Sequence, residues 1–240
     1  MFMFLAFAAG VVRGYSGFGF AMVLTLGLLA SLAPAQVIPV VLMLDLLCSV
    51  SLWPNALATC HPRVGMRLVI GMLLAVPLGA LALARLPGYW MAPVTAAMCL
   101  VGGVLVLIRP AAGRAPKTLA SHWALPAGLV SGLATAMASA GGPPLVVYLL
   151  RSGLSTASVR GTAIIFFAVS SASALTSLWL LQALNRTQVD LAVSLLLPAL
   201  AGNLLGQWLF RRKPMSLQTV IGVLLVVLSG ATLINALVTP

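Results

Sequence analysis

Apolar runs long enough to cross a lipid bilayer recur along this chain of 240 residues. Because about 20 apolar residues span the hydrocarbon core, the uninterrupted runs predict membrane helices at residues 36–53, 68–84, 89–108, 163–181, 191–210 and 218–237. Charged side chains make up 6% of the sequence and hydrophobic ones 62%, so little remains for a water-soluble domain. The predicted fold class is therefore an all-α polytopic membrane protein.

Two further apolar segments, residues 1–32 and 124–150, are interrupted by glycine, and each arm is too short to cross the bilayer alone. They share a motif, Ala-Gly-Val-Val-Arg-Gly at residues 9–14 and Ala-Gly-Leu-Val-Ser-Gly at residues 127–132, separated by 118 positions. An unpaired backbone amide is costly in lipid, so irregular backbone survives at membrane depth only where protein or a wet cavity covers it. Paired broken segments therefore predict a transport site.

The sequence also predicts an internal duplication. Three uninterrupted spans follow each broken segment, and the ends of the two halves match again at a spacing of 127 positions, as in Gly79 and Gly206. Each repeat is predicted to be a broken or re-entrant helical hairpin followed by three membrane helices. The predicted divisions are a first transmembrane repeat at residues 1–108, a linker at residues 109–122 and a second transmembrane repeat at residues 123–240.

Basic residues in the loops predict the orientation, because Lys and Arg are enriched on the cytoplasmic side. If each broken segment crosses the membrane an even number of times, ten of these residues share one side and two, Arg85 and Arg186, lie on the other. A single crossing divides the same residues six to six, so the even number is favoured. Each half then crosses an odd number of times, and the second half enters from the opposite face. The hypothesis is an inverted repeat whose linker is cytoplasmic.

The two breaks predict an anion site. In each, small residues precede a new apolar run, so free amides at a helix N-terminus can face the protein interior, where the positive end of the helix dipole favours anions. Pro143 suits a first helical turn, which needs no amide donor. The alternative interpretation is that the glycines only allow helices to pack closely. The predicted substrate-binding residues are Arg13, Ser16, Gly17, Phe18, Gly19, Ser139, Gly141, Gly142 and Pro143.

Three charged residues are candidates for a functional role. Arg13 is the only basic residue inside an apolar segment, and a charge buried in a membrane is a functional hypothesis by default; the alternative is an interfacial arginine that reaches water. Asp45, near the middle of a predicted span, has four open roles: partner of Arg13, proton carrier, repeller of anions until protonated, or structural anchor between helices. Arg160 begins a span and has two open roles, as a guard of the cytoplasmic entrance or as one of the basic residues that set the orientation.

Several other classes of protein are disfavoured. The net charge of +11 does not indicate a nucleic-acid binder, because the basic residues lie in short loops between apolar spans. An enzyme would need a catalytic cluster, whereas the chain offers one intramembrane acid and two loop histidines, so no enzyme, metal or cofactor is predicted. The expected partners are the bilayer and a small anion. Proton coupling and a homo-oligomer remain open, since lipid-facing and partner-facing apolar surfaces look alike.

Three motifs resemble the sulfite exporter TauE/SafE family of permeases: Ser-Gly-Phe-Gly-Phe-Ala at residues 16–21, Gly-Gly-Pro-Pro-Leu-Val-Val-Tyr-Leu-Leu at residues 141–150, and Val-Arg-Gly-Thr at residues 159–162. The resemblance covers nearly the whole chain, including the duplication. It implies a multi-pass carrier of the bacterial inner membrane for sulfur-containing anions, such as sulfite or sulfoacetate-like organosulfonates.

Membrane energetics favour export. An inside-negative potential of ~100 mV pushes a dianion outward by ~4.6 kcal/mol, so export needs no coupling ion. The chain has no Gly-x-x-x-x-Gly-Lys-Ser/Thr motif for binding ATP. We therefore predict a secondary transporter that exports small anions by alternating access around a midplane site at the two breaks. The alternatives are an anion channel, a proton-coupled uptake permease and, from another class, a membrane enzyme.

Overall fold

The computed structural model describes residues 1–107, 121–212, 226 and 230. Within them the chain is almost entirely helical, with no β-strand, which confirms the predicted all-α fold. A 3-10 turn, Ser121–Trp123, precedes the second half. The helices are α1 (Phe2–Ser16), α2 (Phe20–Leu29), α3 (Pro34–Ser51), α4 (Trp53–Thr59), α5 (Pro62–Arg85), α6 (Gly88–Leu107), α7 (Ala124–Ala138), α8 (Gly142–Leu150), α9 (Thr156–Leu180) and α10 (Arg186–Arg212).

Four of these helices, α3, α5, α9 and α10, are long and apolar enough to cross a membrane. With α6 they overlap five of the six predicted spans. The sixth, residues 218–237, lies outside the described residues except for 226 and 230, and most of the predicted linker also lies outside them. Helices α5 and α9 begin earlier than their apolar runs because side chains cap their first turns: His61 Nδ1 accepts from the amide of Val64, and Ser155 Oγ from that of Ser158.

The first broken segment forms a hairpin of α1 and α2. The backbone turns at Gly17 and Gly19, whose φ angles of 82° and 92° lie in the left-handed region that favours glycine. The side chain of Leu5, near the start of α1, fills the space beside Gly27, near the end of α2, so the two arms run antiparallel. At 1.5 Å per residue the arms are ~22 and ~15 Å long, both shorter than the ~30 Å hydrocarbon core.

The second broken segment is a similar pair of short helices, α7 with 15 residues and α8 with 9. Helix α8 begins at Gly142 and has proline in its first turn, as the sequence predicts. The residue in the left-handed region is Ser139, with a φ of 52°, rather than one of the glycines that were expected to break the helix. Gly141 serves close packing instead, because a Cβ there would collide with the Thr135 side chain.

Glycines hold each hairpin against a long helix of the other half. Helix α1 lies along α10 in the same direction: Cβ atoms on Gly202 and Gly206 would collide with the carbonyl groups of Phe7 and Val11. Helix α7 packs on α5 in the same way, and a Cβ on Gly128 would meet the Leu68 carbonyl. Small residues allow membrane helices to approach this closely.

Helices α3 and α9 pack against each other at the centre of the bundle and run antiparallel. Asp45 of α3 contacts Ser171 of α9, while Leu52, further along the chain from Asp45, packs with Ile164, which precedes Ser171. Helix α4 extends this contact beyond the end of α3. The antiparallel pair thus connects the two halves through the middle of the fold.

Three contacts bring basic segments from both halves to one end of the bundle. The amide of His61, at the start of α5, donates to Thr162 Oγ1 of α9 at 3.0 Å. Arg67 Nη1 donates to Ser121 Oγ at 2.6 Å, next to the start of α7. The guanidinium of Arg160 lies over the ring of Phe210 near the end of α10. The starts of α5, α7 and α9 therefore share this end with the last turn of α10.

Candidate functional site

Arg13 forms the centre of a buried polar network. Its side chain projects from the last turn of α1 into the bundle and is only 1% exposed. The guanidinium donates through Nη1 to Asp45 Oδ1 and through Nη2 to Ser49 Oγ, both on α3. This burial excludes the interfacial arginine that the sequence left open. Of the roles proposed for Asp45, the structure shows pairing with Arg13.

The other oxygen of Asp45 is also bound. Ser171 Oγ, on α9, donates to Asp45 Oδ2 at 2.9 Å, and Ser49 Oγ donates to the Asp45 carbonyl oxygen at 2.6 Å. Asp45 is 2% exposed, so its charge is balanced within the protein rather than by water. One ion pair and its hydroxyl partners therefore connect α1, α3 and α9.

A small cavity lies beside this ion pair, between the two helix breaks. Its volume is about 10 Å³, counted as the space open to the centre of a water-sized sphere. This is close to the minimum volume that holds one water molecule. Residues of both halves surround it: Arg13, Gly19, Ala21, Met22 and Asp45 from the first, and Ser139, Gly142 and Phe167 from the second. The two breaks, 118 positions apart in the shared motif, thus meet at one site.

Two polar atoms at this cavity have no hydrogen-bond partner within the described part of the chain, Arg13 Nε and Ser139 Oγ. Both are buried, and an unpaired buried donor is unfavourable unless something else binds it. The first turns of α2 and α8 also face the cavity, through Ala21 and Met22 and through Gly142. Because the first amides of a helix lack intrahelical partners and carry a partial positive charge, these groups together suit an anion.

Phe167 of α9 completes the site. Its ring lies 5.5 Å from the Arg13 guanidinium carbon, within the range of a cation–π contact. The predictions from sequence missed Phe167 and Ser49. Ser49 had a detectable signal, since it stands four residues after Asp45 and therefore on the same face of a helix.

Three of the predicted binding residues, Ser16, Gly17 and Phe18, build the first break. Ser16 Oγ accepts from the amide of Phe18 at 3.3 Å, and the amide of Gly17 donates to the Arg13 carbonyl oxygen at 2.7 Å. Phe18 is buried in the apolar core beside Gly142. These residues position Arg13 and Gly19, which line the cavity directly.

In the second break, Gly141 and Pro143 likewise have packing contacts. Gly141 fits against Thr135, and Pro143 lies beside Gly102 of α6. Their contacts fix the start of α8, so that Gly142 and Ser139 line the cavity. The predicted binding set therefore divides into residues at the cavity and residues that shape the breaks.

Arg160 reaches from α9 to the outside of the first break. Its Nη2 donates to the Gly14 carbonyl oxygen at 2.7 Å, and its aliphatic part covers Gly17. The guanidinium carbon lies 4.3 Å from the centre of the Phe210 ring, in cation–π contact. Arg160 thus joins α9, α10 and the first hairpin between the Arg13 network and the basic end of the bundle.

No group of three or more His, Cys, Asp or Glu side chains that could hold a metal occurs in the described residues. His61, one of the two histidines, caps α5.

The fold and this buried centre define an integral membrane protein with a polar site, built around a buried arginine, at two broken helices. The family model of the sulfite exporter TauE/SafE matches residues 2–232, and the chain belongs to that family of membrane transporters. The match confirms the resemblance carried by the motifs around residues 16–21, 141–150 and 159–162. Comparison with curated proteins and with solved structures finds no match.

Proposed function

We propose that this protein is a secondary transporter that exports small sulfur-containing anions, such as sulfite or organosulfonates, across the bacterial inner membrane. The observation that carries the proposal is the cavity at which a buried arginine, an unpaired serine hydroxyl and two helix N-termini converge. A positive group in such a place is typical of a substrate site. Membership of the sulfite exporter family supports a sulfur oxyanion as the ligand.

The proposed mechanism is alternating access between two inverted repeats, residues 1–108 and 123–240, joined by a cytoplasmic linker. Two observations support the inversion: α3 runs antiparallel to α9, its counterpart in the second half, and each hairpin packs on a long helix of the other half. Related units of opposite orientation can exchange conformations, so that the shared site opens to each side in turn. In this mechanism Arg160 is a cytoplasmic gate, since it lies between the site and the basic end of the bundle.

The orientation is tested in whole cells by replacing either Arg85 or Arg186 with cysteine and labelling the introduced thiol. Arg63→Cys is the comparison, and Cys60 is replaced by serine in every variant. We expect labelling at positions 85 and 186 from outside the cell, and labelling at position 63 only after the membrane is permeabilised. Labelling of both 85 and 186 from the cytoplasm alone would reject the proposed topology.

The transport function is tested by measuring anion efflux from liposomes that contain the purified protein. Sulfite, sulfoacetate and a small carboxylate, each loaded at a series of concentrations, are compared with protein-free liposomes. We expect saturable efflux of a sulfur oxyanion and accelerated exchange when the same anion is present outside. Flux that rises linearly with concentration without exchange would favour the channel, and efflux equal to the protein-free rate for every anion would contradict transport.

A further inference from the structure

We propose that Asp45 occupies the place of the substrate anion on Arg13 in the substrate-free transporter, and that it leaves this place by taking up one proton for each anion bound. The inference rests on the proposed transport function and deepens it by specifying how the site is regulated. It starts from the geometry of the ion pair: the carboxylate of Asp45 lies directly on the Arg13 guanidinium, as an oxyanion substrate would.

The volume of the site requires displacement. The cavity beside the ion pair has a volume of only about 10 Å³ by the same measure, which is room for one water molecule at most. An oxyanion with three oxygens on a central sulfur is much larger than a water molecule. It therefore cannot reach the guanidinium while the Asp45 carboxylate and the ring of Phe167 keep their positions.

The charge of the site requires a proton. Arg13 and Asp45 are 1% and 2% exposed and balance each other, so an added anion would leave one uncompensated negative charge in a medium of low dielectric. Among the described residues, Arg13 is the charged group that faces Asp45, and the Cys48 thiol lies one turn further along α3. From α9, the facing group is the Ser171 hydroxyl. Protonation of Asp45 is thus the available way to restore neutrality.

The exchange is balanced in atoms and charge. A proton from solution binds a carboxylate oxygen of Asp45, the neutral carboxyl keeps its hydrogen bond with Ser171, and the anion takes the freed donors of Arg13. When the anion leaves, the proton returns to solution and Asp45 pairs with Arg13 again. The substrate-free form and the form loaded with a monoanion are then both neutral. A dianion carries one net negative charge outward, which halves the electrical driving force relative to uncoupled export.

The test separates net efflux from exchange in liposomes that contain the wild type, Asp45→Asn or Asp190→Asn, with sulfite as the probe. Asp190 is the only other acid in the chain, and it is exposed near the start of α10, so its variant is the matched control. In Asp45→Asn the bound anion neutralises Arg13 without a proton, so exchange of sulfite for sulfite continues. The substrate-free form, however, must reorient with an unpaired arginine.

We expect net efflux by Asp45→Asn to fall by about 100-fold or more relative to its own exchange rate, because one charge of a buried pair is left uncompensated. Asp190→Asn is expected to behave as the wild type. Equal rates of net efflux and exchange in Asp45→Asn would overturn the proposal, as would loss of exchange in a variant that still binds sulfite. Wild-type efflux at the protein-free rate would instead refute the transport function itself.

A measurement on the wild type alone covers the case in which Asp45→Asn does not fold. A pH indicator inside the liposomes reports the protons that accompany sulfite. Net efflux is expected to remove one proton from the lumen with each anion, after correction for the buffering of sulfite itself, whereas exchange moves no net protons. Net efflux without accompanying protons would overturn the proposal.

Discussion

Replacing Arg13 with glutamine is expected to destabilise the protein in addition to abolishing anion binding. The variant removes the positive charge but leaves the Asp45 carboxylate buried, with Ser171 as its side-chain partner. Both members of the pair are nearly inaccessible to water, at 1% and 2% exposure, so solvent cannot replace the lost guanidinium. The structure therefore predicts two separate effects, one on folding and one on function.

The stability effect follows from the burial of the pair. Removing one partner of a buried ion pair costs about 3–5 kcal/mol, because the remaining charge is uncompensated. Since 1 kcal/mol shifts the melting temperature by about 2–4 °C in a chain of this size, we expect Arg13→Gln to lower it by about 6–20 °C. The double variant Arg13→Gln/Asp45→Asn removes both charges and is expected to recover most of this loss.

The assay is thermal unfolding of purified protein in one detergent at one scan rate, followed by tryptophan fluorescence, with and without sulfite. A ligand that binds the folded state raises the melting temperature of the wild type, and neither variant that lacks Arg13 is expected to show this rise. Arg85→Gln, at an exposed position at the end of α5, is the control for loss of an arginine. If Arg13→Gln melts with the wild type, or the double variant melts no higher than the single one, the reasoning about charge compensation is wrong.

Three further outcomes are expected. Gly202→Val places a side chain against the Phe7 carbonyl of α1 and is expected to lower the free energy of unfolding by about 1–3 kcal/mol. The control Leu204→Ala, on the exposed face of α10, is expected to lower it much less, and equal melting temperatures of the two variants would contradict the packing of α1 on α10. Ser139→Ala removes an unpaired donor from the cavity, so the half-saturating sulfite concentration is expected to rise about 5–10-fold, and an unchanged value would remove Ser139 from the site. Arg160→Gln weakens the proposed gate, and sulfite efflux is expected to rise about 3–30-fold, the equivalent of one cation–π contact; slower efflux would contradict gating.

Much of the fold followed from sequence because membrane helices obey simple length rules. Uninterrupted apolar runs gave the positions of α3, α5, α6, α9 and α10, and the glycine-broken segments predicted both hairpins. The meeting of Arg13 and Asp45 was among the expected alternatives, since a chain with so few intramembrane charges offers few ways to compensate one. Charged side chains are rare in membrane helices, and their pairing can therefore be predicted from sequence.

The remaining parts of the site depend on which helices are neighbours. Phenylalanine is common in membrane helices, so Phe167 did not stand out from the surrounding apolar residues of α9, and no pattern paired the Ser171 hydroxyl with Asp45. Their significance appears only when α9 is placed beside Asp45 and Arg13. Ser139 shows the same limit at the backbone level, because a break next to two glycines gives no reason to expect a serine in the left-handed region.

The packing of α1 on α10 has a consequence for biogenesis. Helix α1 is synthesised long before the glycine face that receives it, at Gly202 and Gly206 of α10. Contacts between such distant parts of a chain form slowly, because a long loop must close before they stabilise anything. Before α10 is synthesised, Asp45 is available as a charge partner for Arg13, because it lies on α3, the helix that directly follows the hairpin of α1 and α2. The ion pair therefore compensates the charge of Arg13 in the membrane before α10 has been synthesised and before the transporter can bind a substrate.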